Sequence, residues 1–263
     1  MRRFHQTVLV PDREVVTVPN MFPALAARGV GLRSGEITLI AGPPGAGKST
    51  IALALAVRSG APTLYMSADS TENTQRVRLL AMLLDIDQAE AEQAMTQDRA
   101  WASEVLAQAS HIVWDTRSNP SLEHIELTIE AFREAQGEDP HLVIIDNAGD
   151  VAFDSGDEFG SLRTLMRELR WFARDTAAAF VVLHHTREGE GNPAPPQSSL
   201  HGKISQVPAL VLTLTSTAEP GFMGVAAVKN RYGKASPGGT DPVWLRYDPA
   251  NMQLVDLDEV PYE

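Results

Sequence analysis

Short apolar runs alternate with helical repeats over most of this chain. The runs are rich in Leu, Ile and Val, whereas the segments between them repeat apolar residues at helical spacing, as Leu122, Ile125 and Ile129 do. This alternation predicts an α/β fold with a mostly parallel central sheet and helices on both of its faces. Strands are predicted at residues 37–40, 63–67, 111–114, 142–145, 178–183, 209–215, 224–229 and 243–247.

The two ends of the chain differ from this central pattern. Residues 4–24 are polar and interrupted by prolines, which predicts an extended N-terminal arm over residues 1–27 before one domain over residues 28–263. The last third is rich in strands with Pro/Gly turns between them. Residues 188–207 combine Gly, Pro and Ser and predict a long loop, a length that is typical of functional segments.

The segment ITLIAGPPGAGKST carries the strongest chemical signal. It predicts a strand, then Gly-x-x-x-x-Gly-Lys-Ser, then a helix, which is the context of a phosphate-binding loop. Lys48 would reach the β- and γ-phosphates of a nucleoside triphosphate from an exposed position, and the Ser49 hydroxyl would hold Mg²⁺. The predicted nucleotide-binding residues are Gly42, Pro43, Pro44, Gly45, Ala46, Gly47, Lys48, Ser49 and Thr50.

Three further polar residues follow predicted strands and have alternative interpretations. Asp146 is placed to hold Mg²⁺ or to cap the next turn. Asp69 can deprotonate the attacking water or cap the helix that starts near Thr71. His185 can sense the γ-phosphate or be an ordinary histidine. Shared metal binding with His184 is not expected, because adjacent strand residues point to opposite faces.

Charge and composition narrow the function classes. The net charge of −12 argues against a protein that binds nucleic acid through positive charge spread over its whole surface. The absence of cysteine excludes disulfides and thiolate metal sites. Because no apolar run reaches 18 residues, we expect no membrane contact and a cytoplasmic location, in a host cytoplasm if a phage encodes the chain.

One predicted helix nevertheless carries a row of cations. Arg163, Arg167, Arg170 and Arg174 share one helix face, which is typical of a solvated surface, a subunit interface or a phosphate track. The Trp and Tyr residues look scattered without basic neighbours, so no base-stacking platform is predicted.

The motifs together resemble a known family. GEITLIAGPPGAGKST, TLYMSAD, LVIIDN, VVLHHTR and VKNRYG occur in the order of the RecA/DnaB-type motor ATPases. The chain resembles most the small DnaB-like helicases or RecA-like proteins of bacteriophages, over roughly residues 28–250. The resemblance implies a RecA-like P-loop core, ATP and Mg²⁺ as cofactors, and a homo-oligomer that acts on single-stranded DNA.

The resemblance also implies individual roles. Asp69 occupies the place of the catalytic glutamate, Asp146 that of the magnesium-organising aspartate, and His185 that of the γ-phosphate sensor. Lys229 and Arg231 match the pair that reaches the nucleotide of the neighbouring subunit.

Two loops match those that face DNA in the family. The first, VAFDSGDEFG, is acidic here, and the second contains His201 and Lys203. The leading hypothesis is a hexameric ring helicase or translocase of phage-type replication or recombination. A filament-forming recombinase or annealing protein is the second hypothesis, and an ATP-driven switch that binds no nucleic acid is the third.

Overall fold

The structure is a computed structural model, and only part of the chain is described below. The described residues are 18–19, 22–153, 158–186, 194–216 and 221–257. The side chains of residues 158–159 and 201–203 also lie outside this description. Most of the predicted arm and parts of both predicted DNA loops therefore fall outside the described residues.

Strands and helices alternate through the described chain, as the sequence predicts. The strands are β1 (Ile37–Gly42), β2 (Thr63–Ser67), β3 (Ile112–Asp115), β4 (Leu142–Asp146), β5 (Ala179–His185), β6 (Leu210–Ser216), β7 (Gly221–Asn230), β8 (Val243–Asp248) and β9 (Gln253–Asp256). The α-helices are α1 (Pro23–Ala27), α2 (Lys48–Ser59), α3 (Glu72–Leu84), α4 (Gln88–Gln97), α5 (Arg99–Leu106), α6 (Leu122–Gln136) and α7 (Glu158–Thr176). Short 3₁₀ helices include Gln197–Ser199 and His201–Gln206, within the predicted long loop.

These strands form one sheet in the described residues, in the order β3-β2-β4-β5-β1-β6-β7-β8-β9. The first six strands in this order, from β3 through β2, β4, β5 and β1 to β6, are parallel. In the centre of the sheet, Ile37 of β1 lies opposite Phe180 of β5, and Thr38 of β1 lies opposite Leu210 of β6. Strands β7 to β9 extend the sheet in antiparallel fashion. The predicted α/β class and the strand-rich C-terminal part are confirmed, whereas β9 was not predicted.

Apolar layers cover both faces of the sheet. Strands β1, β2 and β4 are buried along their whole length, which explains why their sequences are continuous apolar runs. Helix α2 packs on one face and α6 and α7 pack on the other. Helices α3, α4 and α5 enclose a smaller apolar cluster beside the sheet. In the described part of the chain, no helix is long and apolar enough to cross a lipid bilayer.

The end of the predicted N-terminal arm is helical instead of extended. Pro23 begins α1, where its fixed φ and missing N–H are tolerated, and Leu25 is buried in the core. The Asp256 carboxylate accepts a hydrogen bond from the Ala24 N–H at 3.1 Å, so the last described strand caps this first helix. Burial of one apolar face thus overrides the polar character of the segment.

Candidate active site

Four neighbouring strands bring the predicted catalytic residues to one edge of the sheet. β2, β4, β5 and β1 are adjacent and parallel, so their carboxyl ends lie side by side. A cleft of about 390 Å³ lies at these ends. Its lining residues are Pro44, Gly45, Gly47, Lys48, Ser49, Thr50, Asp69, Arg78, Gln88, Asp146, Asn147, His185, Tyr247, Pro249 and Met252.

The loop between β1 and α2 has the tight geometry that its glycines predict. Gly45 and Gly47 have φ angles of 76° and 83°, which L-residues with a Cβ adopt at a cost. A Cβ on Gly47 would also lie 2.3 Å from Cε of Met223 and 3.1 Å from the Tyr247 ring, so a side chain here requires the end of Met223 to move. Gly47 is the N-cap of α2, which places the positive end of that helix at the cleft.

Lys48 lies buried in the cleft, with 8% of its surface exposed. Its ammonium donates hydrogen bonds to the carbonyl oxygens of Gly42 and Pro43, both at 3.0 Å. Burial lowers the pKa of Lys48, and the charges of Asp146 and Asp69 oppose this effect. The expectation of an exposed lysine was wrong, because the loop folds back over the side chain and supplies acceptors for it.

Asp146 is a buried carboxylate whose surroundings suit a cation. Its Oδ2 atom accepts a hydrogen bond from Tyr65 Oη at 3.0 Å, and only 2% of the residue is exposed. Burial and then the charge of Asp69 raise the pKa of Asp146 to about 6, although hydrogen bonds with Ser49 and Tyr65 oppose this rise. A hydroxyl and a carboxylate at the start of α2 and the end of β4 are the hard oxygen donors that Mg²⁺ takes beside phosphates, so these residues fit that ion.

Asp69 lies in the cleft two residues beyond the end of β2 and is exposed. Ser70 Oγ donates a hydrogen bond to its Oδ1 atom at 2.9 Å. The N-cap of α3 is Thr71, whose hydroxyl accepts from the Thr74 N–H. The capping alternative for Asp69 is therefore wrong, and its carboxylate remains available to a water molecule in the cleft.

The two adjacent histidines point to opposite faces of β5. His184 is buried and His185 is exposed at the cleft. Nδ1 of His185 lies 3.3 Å from Nζ of Lys48. Burial and then the Lys48 charge lower the pKa of His185, so the imidazole is neutral and accepts a hydrogen bond from the lysine. No cluster of three or more His, Cys, Asp or Glu residues that suits a metal occurs in the described parts of the chain.

Lys229 and Arg231 lie at the opposite edge of the sheet. The Arg231 N–H donates to Ala209 O, and the Ala209 N–H donates to Ile37 O, so this cation lies beside the start of β1. The six residues of β1 separate it from the phosphate loop by roughly 16–20 Å. Arg231 pairs with Glu36 at 3.1 Å.

Lys229 has its own contacts at this edge. Its ammonium donates to the carbonyl oxygens of Ser205 and Gln206 at 2.7 and 3.0 Å. Neither Lys229 nor Arg231 joins the nucleotide cleft of its own chain.

The predicted DNA-facing residues are only partly described. His201 and Lys203 begin the 3₁₀ helix His201–Gln206, and their side chains lie outside the described residues. The four arginines of α7 share a face as predicted. The expectation that no tryptophan has basic neighbours was wrong, because Trp171 is 55% exposed between Arg167 and Arg174 on that helix.

Sequence reasoning missed one wall of the cleft. Gln88 Nε2 donates to Pro249 O at 3.0 Å, which joins α4 to the turn between β8 and β9. The Thr50 hydroxyl contacts Met252 Sδ at 3.7 Å. No local motif marks Gln88, Pro249 or Met252, because they approach the phosphate loop only through the tertiary fold.

Comparison with known proteins agrees with this arrangement. The family model described as AAA domain matches residues 12–191. Gene 65 protein of Mycobacterium phage L5 is 33% identical over 251 residues, which cover 91% of this chain and 93% of the relative.

Solved structures show the same fold. A DnaB-like replicative helicase, described in a study of its interactions with primase, superposes with a TM-score of 0.80 at 18% identity over 96% of this chain and 66% of the helicase chain. The RadB recombinase superposes with a TM-score of 0.63 at 16% identity over 91% of this chain and 99% of that chain. The phosphate loop, the strand order and these similarities agree, and the chain belongs to the AAA domain family as an ATP-hydrolysing enzyme with a RecA/DnaB-like core.

Proposed function

We propose that this enzyme is a Mg²⁺-dependent ATPase that acts on single-stranded DNA as a homo-oligomer, in a ring helicase or translocase of phage-type replication or recombination. The observation that carries the proposal is the separation of two cationic groups. Lys48 lies in the nucleotide cleft with Asp69 and Asp146, whereas Lys229 and Arg231 lie across the sheet. A second copy would bring the latter pair to a phosphate.

Nucleotide binding and hydrolysis divide among the residues of the cleft. Lys48 binds the β- and γ-phosphates after it leaves the loop carbonyls, and the N–H groups at the start of α2 bind the phosphate oxygens. Ser49 and Asp146 hold Mg²⁺, which when bound neutralises charge on the phosphates. Asp69 orients the attacking water and accepts its proton.

His185 links the phosphate position to the sensor strand. In the structure its neutral Nδ1 faces the Lys48 ammonium at 3.3 Å. When Lys48 turns to the γ-phosphate, His185 loses this partner and hydrogen-bonds to the phosphate or the attacking water instead. This exchange of one partner accounts for a role as γ-phosphate sensor.

The subunit boundary completes the site in this proposal. Arg231 has to release or share Glu36 in order to reach the neighbouring nucleotide. The Arg231 side chain is 41% exposed and the Glu36 side chain 17%. Because such an ion pair contributes only about 0–1 kcal/mol to stability, its replacement by a phosphate contact costs little free energy. The gain is the neutralisation of charge that develops on the transferred phosphoryl group.

The DNA substrate is inferred from the resemblance and from the two similar structures, one a helicase and one a recombinase. His201 and Lys203 are the proposed contacts of the second loop. Because both kinds of relative share this fold, a filament-forming recombinase is the second candidate, and the RadB similarity favours it specifically. A nucleotide switch without nucleic acid is the third. The arm over residues 1–27, the domain over residues 28–263 and a cytoplasmic location stay predictions.

Electron microscopy tests the proposal directly. The full chain is imaged with a non-hydrolysable ATP analogue, with and without an unlabelled single-stranded oligonucleotide. Closed rings support the helicase, and six subunits in each ring would agree with the proposed hexamer. Helical filaments on DNA support the recombinase. Assemblies that form with the nucleotide analogue and do not change when the oligonucleotide is added support the switch. Monomers under both conditions contradict the shared site.

A further inference from the structure

Helix α7 presents a row of cations that the nucleotide site does not use. Arg163, Arg167 and Arg174 are exposed, and within the described residues they form no ion pair. Arg170 is half-buried and donates to Val207 O. The chain has a net charge of −12, so this row is a positively charged stripe on a negatively charged protein.

The acidic residues of the helix do not neutralise this row. Glu168 and Asp175 are exposed on α7, and the charge of Asp175 acts on Arg133 of the neighbouring helix α6. Among the described side chains of α7 itself, the four arginines outnumber these two acids. The balance favours a polyanionic partner over a solvated surface, in which acidic and basic residues alternate.

An aromatic side chain lies within the row. Trp171 follows Arg167 by four positions and precedes Arg174 by three, so the three share one stripe of the helix. Its indole is 55% exposed and lies edge-on to Phe172, with 5.3 Å between the ring centroids. More than half of the Trp171 surface is therefore accessible to a stacking partner. Flat aromatic faces between cations are typical of surfaces that bind unpaired bases.

The row also continues into the segment that carries the second predicted DNA loop. The 3₁₀ helix His201–Gln206 packs against α7, and Arg170 bonds to the residue that follows it. The Lys229 ammonium donates to the carbonyl oxygens of Ser205 and Gln206, so Arg170 of α7 and Lys229 of β7 both contact the end of this segment.

We infer that the exposed face of α7, formed by Arg163, Arg167, Trp171 and Arg174, is a binding surface for single-stranded nucleic acid. The arginines contact backbone phosphates and Trp171 stacks on a base. This inference deepens the proposed function and rests on it, because it adds a contact outside the two loops. A second copy of the chain is the competing occupant, and the test separates the two.

The test measures the anisotropy of a labelled oligo-dT strand with the full chain and a non-hydrolysable ATP analogue over a salt series. Trp171→Ala should weaken binding about 5- to 150-fold, since a stacked base contributes that much, whereas Trp171→Phe should keep most of the affinity. Arg167→Glu should lower the slope of log affinity against log salt by about 0.7 per lost phosphate contact.

Matched controls lie on α5, where Arg99 and Trp101 are also exposed. Arg99→Glu makes the same charge change and should leave the slope intact, and Trp101→Ala makes the same truncation and should leave the affinity intact. Blunt duplex DNA should bind weakly and be insensitive to Trp171→Ala, because its bases are paired. Oligo-rU in the same assay tells whether the surface distinguishes RNA from DNA.

Each result bears on the inference separately from the proposed function. If the unchanged chain binds no strand, both fail. If it binds, but Arg167→Glu and Trp171→Ala bind as well as the α5 controls, only the α7 surface is overturned. If Arg167→Glu changes the sedimentation coefficient of the assembly and leaves the affinity per subunit unaltered, the face belongs to a second copy and the inference is wrong.

Discussion

Nζ of Lys48 and Nδ1 of His185 lie 3.3 Å apart, although 137 positions separate them in the chain. The contact exists because β1 and β5 are parallel neighbours, with Gly42 opposite His185 at their ends. It joins the phosphate loop directly to the proposed sensor. A lysine held by His185 and two carbonyls can exchange all three contacts for phosphate oxygens in one movement.

Lys48→Ala is expected to abolish ATP hydrolysis and to remove most of the nucleotide affinity, because the β/γ-phosphates lose their cation. The Gly42 and Pro43 carbonyls lose a donor, but water in the cleft can replace it, so the stability should fall by only about 1 kcal/mol. Isothermal titration with an ATP analogue and urea unfolding check the two parts. Normal turnover in this variant would contradict the phosphate-loop assignment.

Asp69→Asn should retain ATP binding and lose hydrolysis, since an amide cannot accept a proton from water. The matched variant is Thr71→Ala, which removes the actual cap of α3. It should cost about 1 kcal/mol of stability and leave turnover largely intact. Steady-state ATPase assays and thermal unfolding of both variants separate catalysis from capping. The reverse pattern would return Asp69 to a structural role.

Gly47→Ala should be much more harmful than Gly45→Ala. Both positions have positive φ, which costs an alanine roughly 1–2 kcal/mol. Only at Gly47 does a Cβ also collide with Met223, whereas at Gly45 nothing lies within 4 Å. We expect both variants to lower the unfolding midpoint, Gly47→Ala by more than Gly45→Ala, and only Gly47→Ala to lose nucleotide binding. Equal losses of stability in the two variants would show that backbone strain, not the Met223 contact, decides.

Asp146→Asn should stabilise the nucleotide-free chain at alkaline pH. Burial and then the charge of Asp69 raise the pKa of Asp146 from 3.8 to about 6, so the folded chain binds the proton more tightly than the unfolded chain. The contribution of this group to stability is therefore fully present below pH 3.8 and is lost as the pH rises through 6. Asparagine avoids the buried charge, for a gain of at most about 3 kcal/mol at pH 8 that disappears near pH 4.

Urea unfolding in EDTA at pH 4, 6 and 8 measures this difference. Glu168→Gln, on the exposed face of α7, controls for the loss of one negative charge. The Asp146 variant should at the same time lose Mg²⁺-dependent ATPase activity. A gain in stability that does not change with pH would separate the effect from the carboxylate charge.

Mixing Arg231→Ala with Lys48→Ala should restore part of the ATPase activity. Each variant alone should be nearly inactive, because a cation supplied by a neighbour contributes about 10³–10⁵ in rate. Mixed oligomers contain interfaces with an intact phosphate loop on one side and an intact arginine on the other. Arg99→Ala mixed with Lys48→Ala is the control, and its activity should equal that of the Arg99→Ala subunits present. No recovery in proven mixed oligomers would leave Arg231 a surface cation.

The sequence by itself determined the class of fold and the phosphate loop. Apolar runs such as LVIID require burial on both faces, and that forces a covered parallel sheet. The loop glycines fix a backbone that only they adopt at low cost, so Gly45 and Gly47 identify the site without any partner. The polar ends of the runs then predicted Asp69, Asp146 and His185, because parallel strands end at a common edge.

Only the tertiary structure decided which neighbours these residues meet. Burial of Lys48, the Tyr65 contact of Asp146 and the cleft wall at Tyr247 and Met252 arise between distant segments, and no local pattern encodes such pairings. The tertiary structure also placed Arg231 beside the start of β1. The family resemblance had implied a role for this arginine but not its location in the fold. Local spacing fixes the direction of a side chain relative to its own strand or helix, whereas the order of strands in the sheet fixes what that side chain touches.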